Sequence, residues 1–196
     1  MAGGEEMLKI RRREISVVFI DLRGFTAFTD QAEPEEVMEM LHAFHAAMGR
    51  LVLAHGGTLE RFAGDSVMVF FNDPVPMERP AEAAVRMALS MQQAFPALGA
   101  EWRKRGFELG LGCGIAQGYA TLGQIGFEGR WDYAAIGSVT NLAARLCAEA
   151  AAGQVLVDRK TMAKVEAIVD ANALGPLALK GFLQPVPAFS VSGMRA

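Results

Sequence analysis

Two aspartates stand where short apolar, strand-like stretches give way to polar turns. Asp21 follows EISVVFI (residues 14–20), and Asp65 lies at the centre of a predicted hairpin, TLERFAGDSVMVFF (58–71). Adjacent strands of one sheet would bring the two carboxylates together, and paired carboxylates suit Mg²⁺, which prefers oxygen ligands. Either aspartate taken singly is also typical of a polar strand terminator. Together, with RGFT after one and Gly64 before the other, they favour a metal site.

The RGFT stretch (23–26) predicts a turn shortly after Asp21. Gly24 permits a tight turn into the next element. The backbone amides of Phe25 and Thr26 would then be able to hold phosphate oxygens. The stretch is short and supports the metal site only together with the aspartates.

A second polar pair lies in GRWDYAAIGSVTNLAARL (129–146). Ser138 is the predicted cap of a helix that begins at Val139. Asn141 and Arg145 are four residues apart on that helix, so an amide and a guanidinium share one face and one cleft. Spacing alone leaves open a solvated helix face that carries the two residues by chance.

Apolar periodicity predicts the elements that position these residues. Pro34, two glutamates and a helical stripe predict a long helix before the hairpin. The stripe consists of Val37, Leu41, Phe44, Met48 and Leu51. His42, His45 and His55 on or after this helix lack a metal-ligand pattern and are predicted to be structural or surface residues. A second helix begins near Pro80, and Pro96 kinks or ends it.

The stretch FELGLGCGIAQGYATLGQIG alternates strictly and predicts a strand. Its glycine face (Gly110, Gly112, Gly114) admits a close neighbour, either another backbone or a ligand. The element order predicts an α+β fold, a ferredoxin-like βαββαβ sandwich with a C-terminal αβ extension. Residues 1–13, including Arg11, Arg12 and Arg13, are predicted to be a solvated lead-in or linker, and residues 14–196 one domain.

Composition narrows the function classes. The 196 residues are 52% hydrophobic, and the mean hydropathy of +0.21 suits one globular domain. A net charge of −3 and a pI near 5.7 argue against a nucleic-acid partner. No apolar run approaches the roughly 18 residues of a membrane span, and no signal-peptide pattern opens the chain. Cys113 and Cys147 lack CxxC spacing, so we predict buried, reduced thiols in a cytoplasmic protein without a membrane partner.

Four stretches together resemble a known family. VVFIDLRGFTAFT, RFAGDSVMVFF, YAAIGSVTNLAARL and LKGF occur in the order found in class III nucleotidyl cyclase catalytic domains, and the likeness spans about residues 14–192. The resemblance implies a head-to-tail homodimer with composite active sites that use residues from both protomers. It implies that Asp21 and Asp65 bind two Mg²⁺ or Mn²⁺ ions, with the backbone carbonyl of Ile20 as a further ligand. The glycine face and the segment GQIGFEGRWDY (123–133) are candidate contacts between copies.

The resemblance also assigns the remaining polar residues. Asn141 matches the asparagine that orients the ribose, Arg145 the arginine that stabilises the reacting phosphate, and Lys180 of LKGF a group for the terminal phosphates. The implied reaction is attack of a nucleotide's 3′-hydroxyl on its own α-phosphorus, with loss of pyrophosphate and metal ions activating the attacking oxygen. The product would be a cyclic nucleotide second messenger. Such domains are commonly fused to regulatory regions, and nothing in this sequence identifies one.

Two positions bear on the choice of base. The residue four before Asp65 is usually lysine in adenylate cyclases and glutamate in guanylate cyclases, and here it is Arg61. Arginine is able to donate to N1 of adenine, which favours ATP over GTP. Ala134, seven before Asn141, replaces the usual aspartate or threonine and accepts no hydrogen bond. Base selectivity is therefore predicted either to be loose or to come from backbone carbonyls, with a guanylate or mixed-specificity cyclase as the alternative. A surface ion pair of Arg61 with Glu60 or a nearby acid also stays open.

Two other functions share part of the pattern. A diguanylate cyclase or palm-type polymerase would carry a similar hairpin but lacks the Asn-Arg helix, and AGDSV provides only part of a GGDEF-like tip. A catalytically weak cyclase-like domain that binds nucleotide or mediates dimerisation is suggested by Arg61 and Ala134. The intact metal and phosphate residues favour catalysis over that module.

Overall fold

The computed structural model describes residues 9–196 of the chain. Within this range, eight strands form one sheet, and five helices pack on its faces. In chain order the elements are β1 (Arg11–Arg23), α1 (Phe25–Gln31), α2 (Pro34–Ala54), β2 (Thr58–Ala63), β3 (Ser66–Phe71), α3 (Pro80–Lys104), β4 (Gly110–Phe127), β5 (Arg130–Ile136), α4 (Ser138–Glu149), β6 (Val155–Asp158), α5 (Arg159–Val165), β7 (Val169–Leu177) and β8 (Val186–Met194).

The sheet order confirms the predicted α+β fold. Neighbouring strands follow the order β2-β3-β1-β4-β6-β8-β7, and β5 pairs with β4 off this path. Strand β1 pairs antiparallel with both β3 and β4, and these elements with α2 and α3 make the βαββαβ core. Strands β6 to β8 and helix α5 form the C-terminal αβ extension. None of the helices within residues 9–196 has both the length and the apolar character needed to cross a bilayer.

Helices α2 and α3 cover one face of the sheet. The buried line of α2 consists of Met40, Phe44, Met48 and Val52. This line has strict four-residue spacing, so the buried face is rotated from the predicted stripe, and Leu51 at the edge of that stripe is only partly buried. The start of α2 is fixed by a reciprocal capping box between Glu33 and Glu36.

Helix α4 covers the other face and fills the space above the glycines of β4. A Cβ atom on Gly114 would overlap the backbone of Ala143 and Cys147 in α4. A Cβ atom on Gly112 would overlap the guanidinium of Arg23. The close neighbour of the glycine face is therefore this chain's own backbone and an arginine. The expectation that this face contacts a second copy is wrong.

The N-terminal arginines belong to the sheet. Strand β1 begins at Arg11 and continues past Asp21, so it is longer at both ends than predicted. Arg11 and Arg13 lie 2.7 Å and 3.6 Å from the carboxylate of Asp73, which is 1% exposed, and the Tyr133 hydroxyl donates to the same carboxylate. The solvated lead-in is thus wrong for residues 11–13, because all three belong to β1 and a buried acid holds Arg11 and Arg13. Residues 1–8 lie outside the described residues, and the domain boundary itself stays a prediction.

Two helix boundaries also differ from the prediction. Helix α3 continues through Pro96 to Lys104, so the proline does not end it. The missing backbone donor costs about 3 kcal/mol in a helix interior, which the buried Phe95 and Trp102 offset by packing in the core. Helix α4 begins at Ser138 itself, without a side-chain cap bond, after the extended Gly137.

Candidate active site

The two aspartates meet at one edge of the sheet. Asp21 pairs with Ser66 across β1 and β3, which places it beside Asp65 at the hairpin tip. Burial, reinforced by the neighbouring Asp21 carboxylate, raises the pKa of Asp65 from 3.8 to about 7. The Oδ1 atom of Asp21 is buried and receives no hydrogen bond from the described residues. Two acids therefore face each other with a shortage of donors.

This arrangement suits a divalent cation. Residues 9–196 contain no cluster of three or more His, Cys, Asp or Glu side chains able to hold a metal. Two acceptor-only carboxylates with one unsatisfied oxygen fit a hard ion that fills its shell with water and substrate phosphates. The Ile20 side chain is buried in the core on the opposite face, so only its backbone carbonyl is available to the Asp21 side. Its role as a ligand stays a prediction.

The hairpin tip is held by a histidine with no assigned role in the sequence pattern. The Nε2 atom of His45 lies 2.7 Å from the carbonyl oxygen of Gly64, directly before Asp65. The His45 ring also stacks on Phe62, with ring centroids 4.2 Å apart. The structural role predicted for this histidine is confirmed, but nothing in its helical spacing indicated that it supports the acidic tip.

Arg23 is the second residue whose importance the sequence pattern did not indicate. Its Nη1 atom lies 3.6 Å from Oδ2 of Asp21. Its Nε atom donates to the carbonyl of Ala150 at 2.8 Å, and Nη2 donates to the carbonyl of Cys147. Asp21 and Arg23 are two residues apart in a strand, so period two places them on the same face. That spacing was the available signal.

Asn141 and Arg145 are exposed on α4, and neither side chain has a hydrogen bond or ion pair within residues 9–196. Ala143 and Cys147 of the same helix lie on the sheet above Gly114. Each polar residue is two positions from one of these, which is about 200° around a helix. Asn141 and Arg145 therefore point away from the sheet face that carries the aspartates of the same chain.

The predicted phosphate-binding groups lie at two further places. Gly24 caps α1 in the left-handed conformation (φ 84°), where a Cβ atom would overlap the Glu108 carbonyl. The amides of Phe25 and Thr26 begin that helix and have no acceptor inside it. Lys180 is exposed in the loop after β7 and follows Leu179, which packs in one cluster with Leu146 of α4. The structure thus places Lys180 next to a residue anchored on α4, without a contact to Asn141 or Arg145.

The predicted base-reading positions lie near each other where β2 meets β5. Arg61 has a largely exposed side chain and lies 3.8 Å from the nearly buried Glu60 carboxylate, so the ion pair left open from sequence is present. The same carboxylate accepts from the backbone N–H of Ala135 at 3.1 Å, next to Ala134. Burial raises the pKa of Glu60. Ala134 is 6% exposed and offers no acceptor side chain.

Both cysteines are buried and free, as predicted. Burial raises the pKa of Cys147 to about 12, so this thiol stays protonated and unreactive at neutral pH. Its thiol donates to the carbonyl of Gly112 at 3.5 Å, and its own backbone carbonyl accepts from Arg23, so its role is structural.

Comparison with known proteins gives a consistent result. The sequence model of the family described as the adenylate and guanylate cyclase catalytic domain matches residues 8–192. Adenylate cyclase 1 of Rhizobium meliloti (strain 1021) is 34% identical over 173 residues, which cover 84% of this chain and 26% of that protein. The adenylate cyclase of Anabaena cylindrica is 31% identical over 139 residues, or 68% of this chain and 27% of that protein. The chain thus spans about a quarter of the length of these relatives.

Solved structures agree with the sequence relatives. The adenylyl cyclase CyaB from P. aeruginosa matches with a TM-score of 0.92 and 35% identity, covering 96% of this chain and 98% of that one. The guanylyl cyclase Cya2 matches with a TM-score of 0.87 and 30% identity, covering 96% of each chain. Because both an adenylyl and a guanylyl cyclase are similar to this chain, the comparisons do not determine which base its substrate carries. With the paired aspartates and the Asn-Arg helix in place, the chain belongs to the family of adenylate and guanylate cyclase catalytic domains.

Proposed function

We propose that this domain converts ATP to 3′,5′-cyclic AMP and pyrophosphate at composite sites between two copies of the chain. The observation that carries the proposal is the Asp21–Asp65 pair, in which a buried oxygen lacks a donor and one carboxyl has its pKa raised to about 7. Such a pair is costly unless a cation compensates it. The named adenylate cyclases among the relatives support the reaction class.

In the reaction, the 3′-hydroxyl oxygen forms a bond to the α-phosphorus and its proton passes to solvent water. The bond between the α-phosphorus and the oxygen that bridges to the β-phosphorus breaks, and pyrophosphate leaves with that oxygen. Two Mg²⁺ or Mn²⁺ ions, when bound, lower the pKa of the hydroxyl and neutralise the leaving group. Asp21 and Asp65 would hold the ions. Asn141 would orient the ribose, and Arg145 would bind the α-phosphate as its charge is redistributed. Lys180 and the amides of Phe25 and Thr26 would hold the remaining phosphate oxygens.

The geometry of α4 supports a dimer. Asn141 and Arg145 point away from the aspartates of their own chain, so a site that needs both sets takes them from two copies. The β4–β5 hairpin provides an apolar surface for such a contact, because Ile125, Phe127 and Trp131 are 47%, 68% and 54% exposed. The buried, free thiols and a nucleotide substrate support a cytoplasmic location.

Arg61 supports ATP as the preferred nucleotide, since its guanidinium is able to donate to N1 of the adenine base. Ala134 removes one discriminating contact, so some GTP turnover is expected. A catalytically weak nucleotide-binding or dimerisation module is the second candidate, and the buried, apolar Ala134 is the observation that favours it.

Chromatographic product analysis tests the proposal. The purified chain is incubated separately with ATP, GTP, CTP and UTP, in Mg²⁺ and in Mn²⁺, beside an Asp21→Ala control. We expect cyclic AMP as the main product and none from the control. Mixed cyclic products would support a mixed-specificity cyclase, and no cyclic product with any nucleotide would support the binding module.

A further inference from the structure

Arg23 contacts both Asp21 and the end of the helix that carries Asn141 and Arg145. We call Asp21 and Asp65 the metal half, and Asn141 with Arg145 on α4 the helix half. The guanidinium of Arg23 lies over Gly112, between Asp21 and the last turn of α4. No other arginine or lysine within residues 9–196 forms an ion pair with Asp21 or Asp65.

On the metal side, Arg23 is the available counter-charge. Its Nη1 atom lies 3.6 Å from Oδ2 of Asp21, which leaves the buried Oδ1 atom free of donors. The contact engages one carboxylate oxygen and leaves the other without a donor. Partners of this kind fix the rotamer of a metal ligand.

On the helix side, Arg23 binds the end of α4. The helix has no basic residue of its own in the last turn, and Arg23 supplies that charge from β1. It donates to the carbonyls of Cys147 and Ala150, where the negative end of the helix dipole lies. A guanidinium is able to make these bonds and reach Asp21 at once because its donors are spread over a rigid plane.

We propose that Arg23 is a positioning residue that fixes the metal half and the helix half of one chain relative to each other. The inference rests on the proposed composite sites, in which the two halves of one chain serve different active sites. Arg23 then ties the geometry of one active site in the dimer to that of the other.

Mixed dimers separate the two effects. One chain carries Asp65→Asn and contributes only its helix half, and the other carries Asn141→Ala and contributes only its metal half. Each mixed dimer, isolated with two affinity tags, has one complete site. Arg23→Lys is then placed in either chain, because lysine keeps the charge but lacks the planar set of donors.

The expected result depends on the chain that carries the substitution. In the chain that contributes the metal half, Arg23→Lys should raise the half-saturating Mn²⁺ concentration about tenfold, with kcat at saturating metal little changed. In the chain that contributes the helix half, it should lower kcat about tenfold and leave the metal requirement unchanged. An effect from only one of the two chains, or the same loss of kcat from both, would overturn the coupling.

Arg13→Lys is the matched control. Arg13 lies on the same strand, donates to the carbonyl of Asn72 at 3.0 Å, lies 3.6 Å from Asp73, and is similarly exposed (31% against 25% for Arg23). It should lower the melting temperature as much as Arg23→Lys, without changing the metal requirement in either chain. An equal change in metal requirement from Arg13→Lys would make Arg23 a stabilising residue only.

A measurement without turnover completes the test. Titration of Mn²⁺ into the Arg23→Lys homodimer, followed by the paramagnetic signal of the free ion, should show about tenfold weaker binding than in wild type. Unchanged binding would remove the metal side of the inference. If the parent mixed dimer is inactive, the composite site itself fails; if it is active and insensitive to Arg23→Lys, only this inference fails.

Discussion

The metal half and the helix half differ in how much of their environment one chain supplies. Asp21 and Asp65 are set in the sheet edge, with Arg23 on one side and the His45-supported tip on the other. The exposed Asn141 and Arg145 form no side-chain hydrogen bond or ion pair among residues 9–196. The metal half is thus assembled on folding and places two carboxylates side by side. The helix half is instead exposed on α4. The difference indicates that the missing contacts of each half lie outside the chain.

Removing an acid from the metal half should have the largest effect. Asp65→Asn deletes a proposed cation ligand, and the charge stabilisation that a metal provides is worth several kcal/mol, so activity should fall at least about a thousandfold. Product formation in Mn²⁺ measures this. Retention of more than about a tenth of the activity would mean that the acidic pair is not the metal site.

Removing the guanidinium from the helix half should cost less. Arg145→Ala should lower kcat about a hundredfold and change KM by less, because the side chain acts chiefly as the phosphate charge is redistributed. The rise in melting temperature on adding Mn²⁺ without nucleotide should equal that of wild type, since the metal half is untouched. A raised KM with normal kcat would reassign Arg145 to ground-state binding.

A smaller effect is expected where β2 meets β5. Ala134→Thr adds an acceptor for the amino group of adenine and should raise the preference for ATP over GTP about fivefold, since one hydrogen bond is worth roughly 1 kcal/mol. Ala134→Val has the same shape without the acceptor and serves as the control. Position 134 is 6% exposed, so equal effects of both variants would indicate packing and not base recognition.

The smallest predicted effect is on stability. The folded, metal-free chain holds a proton on Asp65 up to about pH 7, whereas an ordinary aspartate loses it near 3.8. The Asp65 carboxyl therefore contributes most to the free energy of unfolding at low pH. This contribution is lost as the pH rises from about 4 to 7. Metal-free Asp65→Asn should melt a few degrees above wild type at pH 8 and equally at pH 4. Equal melting at pH 8 would mean that neither burial nor the neighbouring Asp21 carboxylate disfavours the charged form of Asp65.

The sequence predicted most of the fold because local patterns and fold agree in the core. Alternation in β4, the hairpin around Gly64 and the proline-started helices all appear as expected. The predictions that were wrong concern residues whose structure depends on contacts with residues far away in the sequence. Arg11 and Arg13 look like a solvated run until the buried Asp73, far along the chain, is placed beside them.

The candidate site was predictable to a similar degree. Asp21, Asp65, Asn141 and Arg145 have spacings that carry a chemical meaning, and the structure brings the two acids together as expected. The contacts of Arg23 to the end of α4 depend on a helix that follows it by more than a hundred residues. No local sequence pattern predicts these contacts. The strand face that Arg23 shares with Asp21 was the only indication that Arg23 lies near the site.

The glycine face of β4 sets the distance between helix α4 and the sheet. At Gly114 the backbone of α4 rests directly on the backbone of the sheet, so the thickness of one hydrogen atom sets the height of the helix. A single added methyl group would lift Asn141 and Arg145 together, as one block, and leave Asp21 and Asp65 where they are. Gly114 is thus a spacer of minimum size, and it fixes how far Asn141 and Arg145 stand from the sheet.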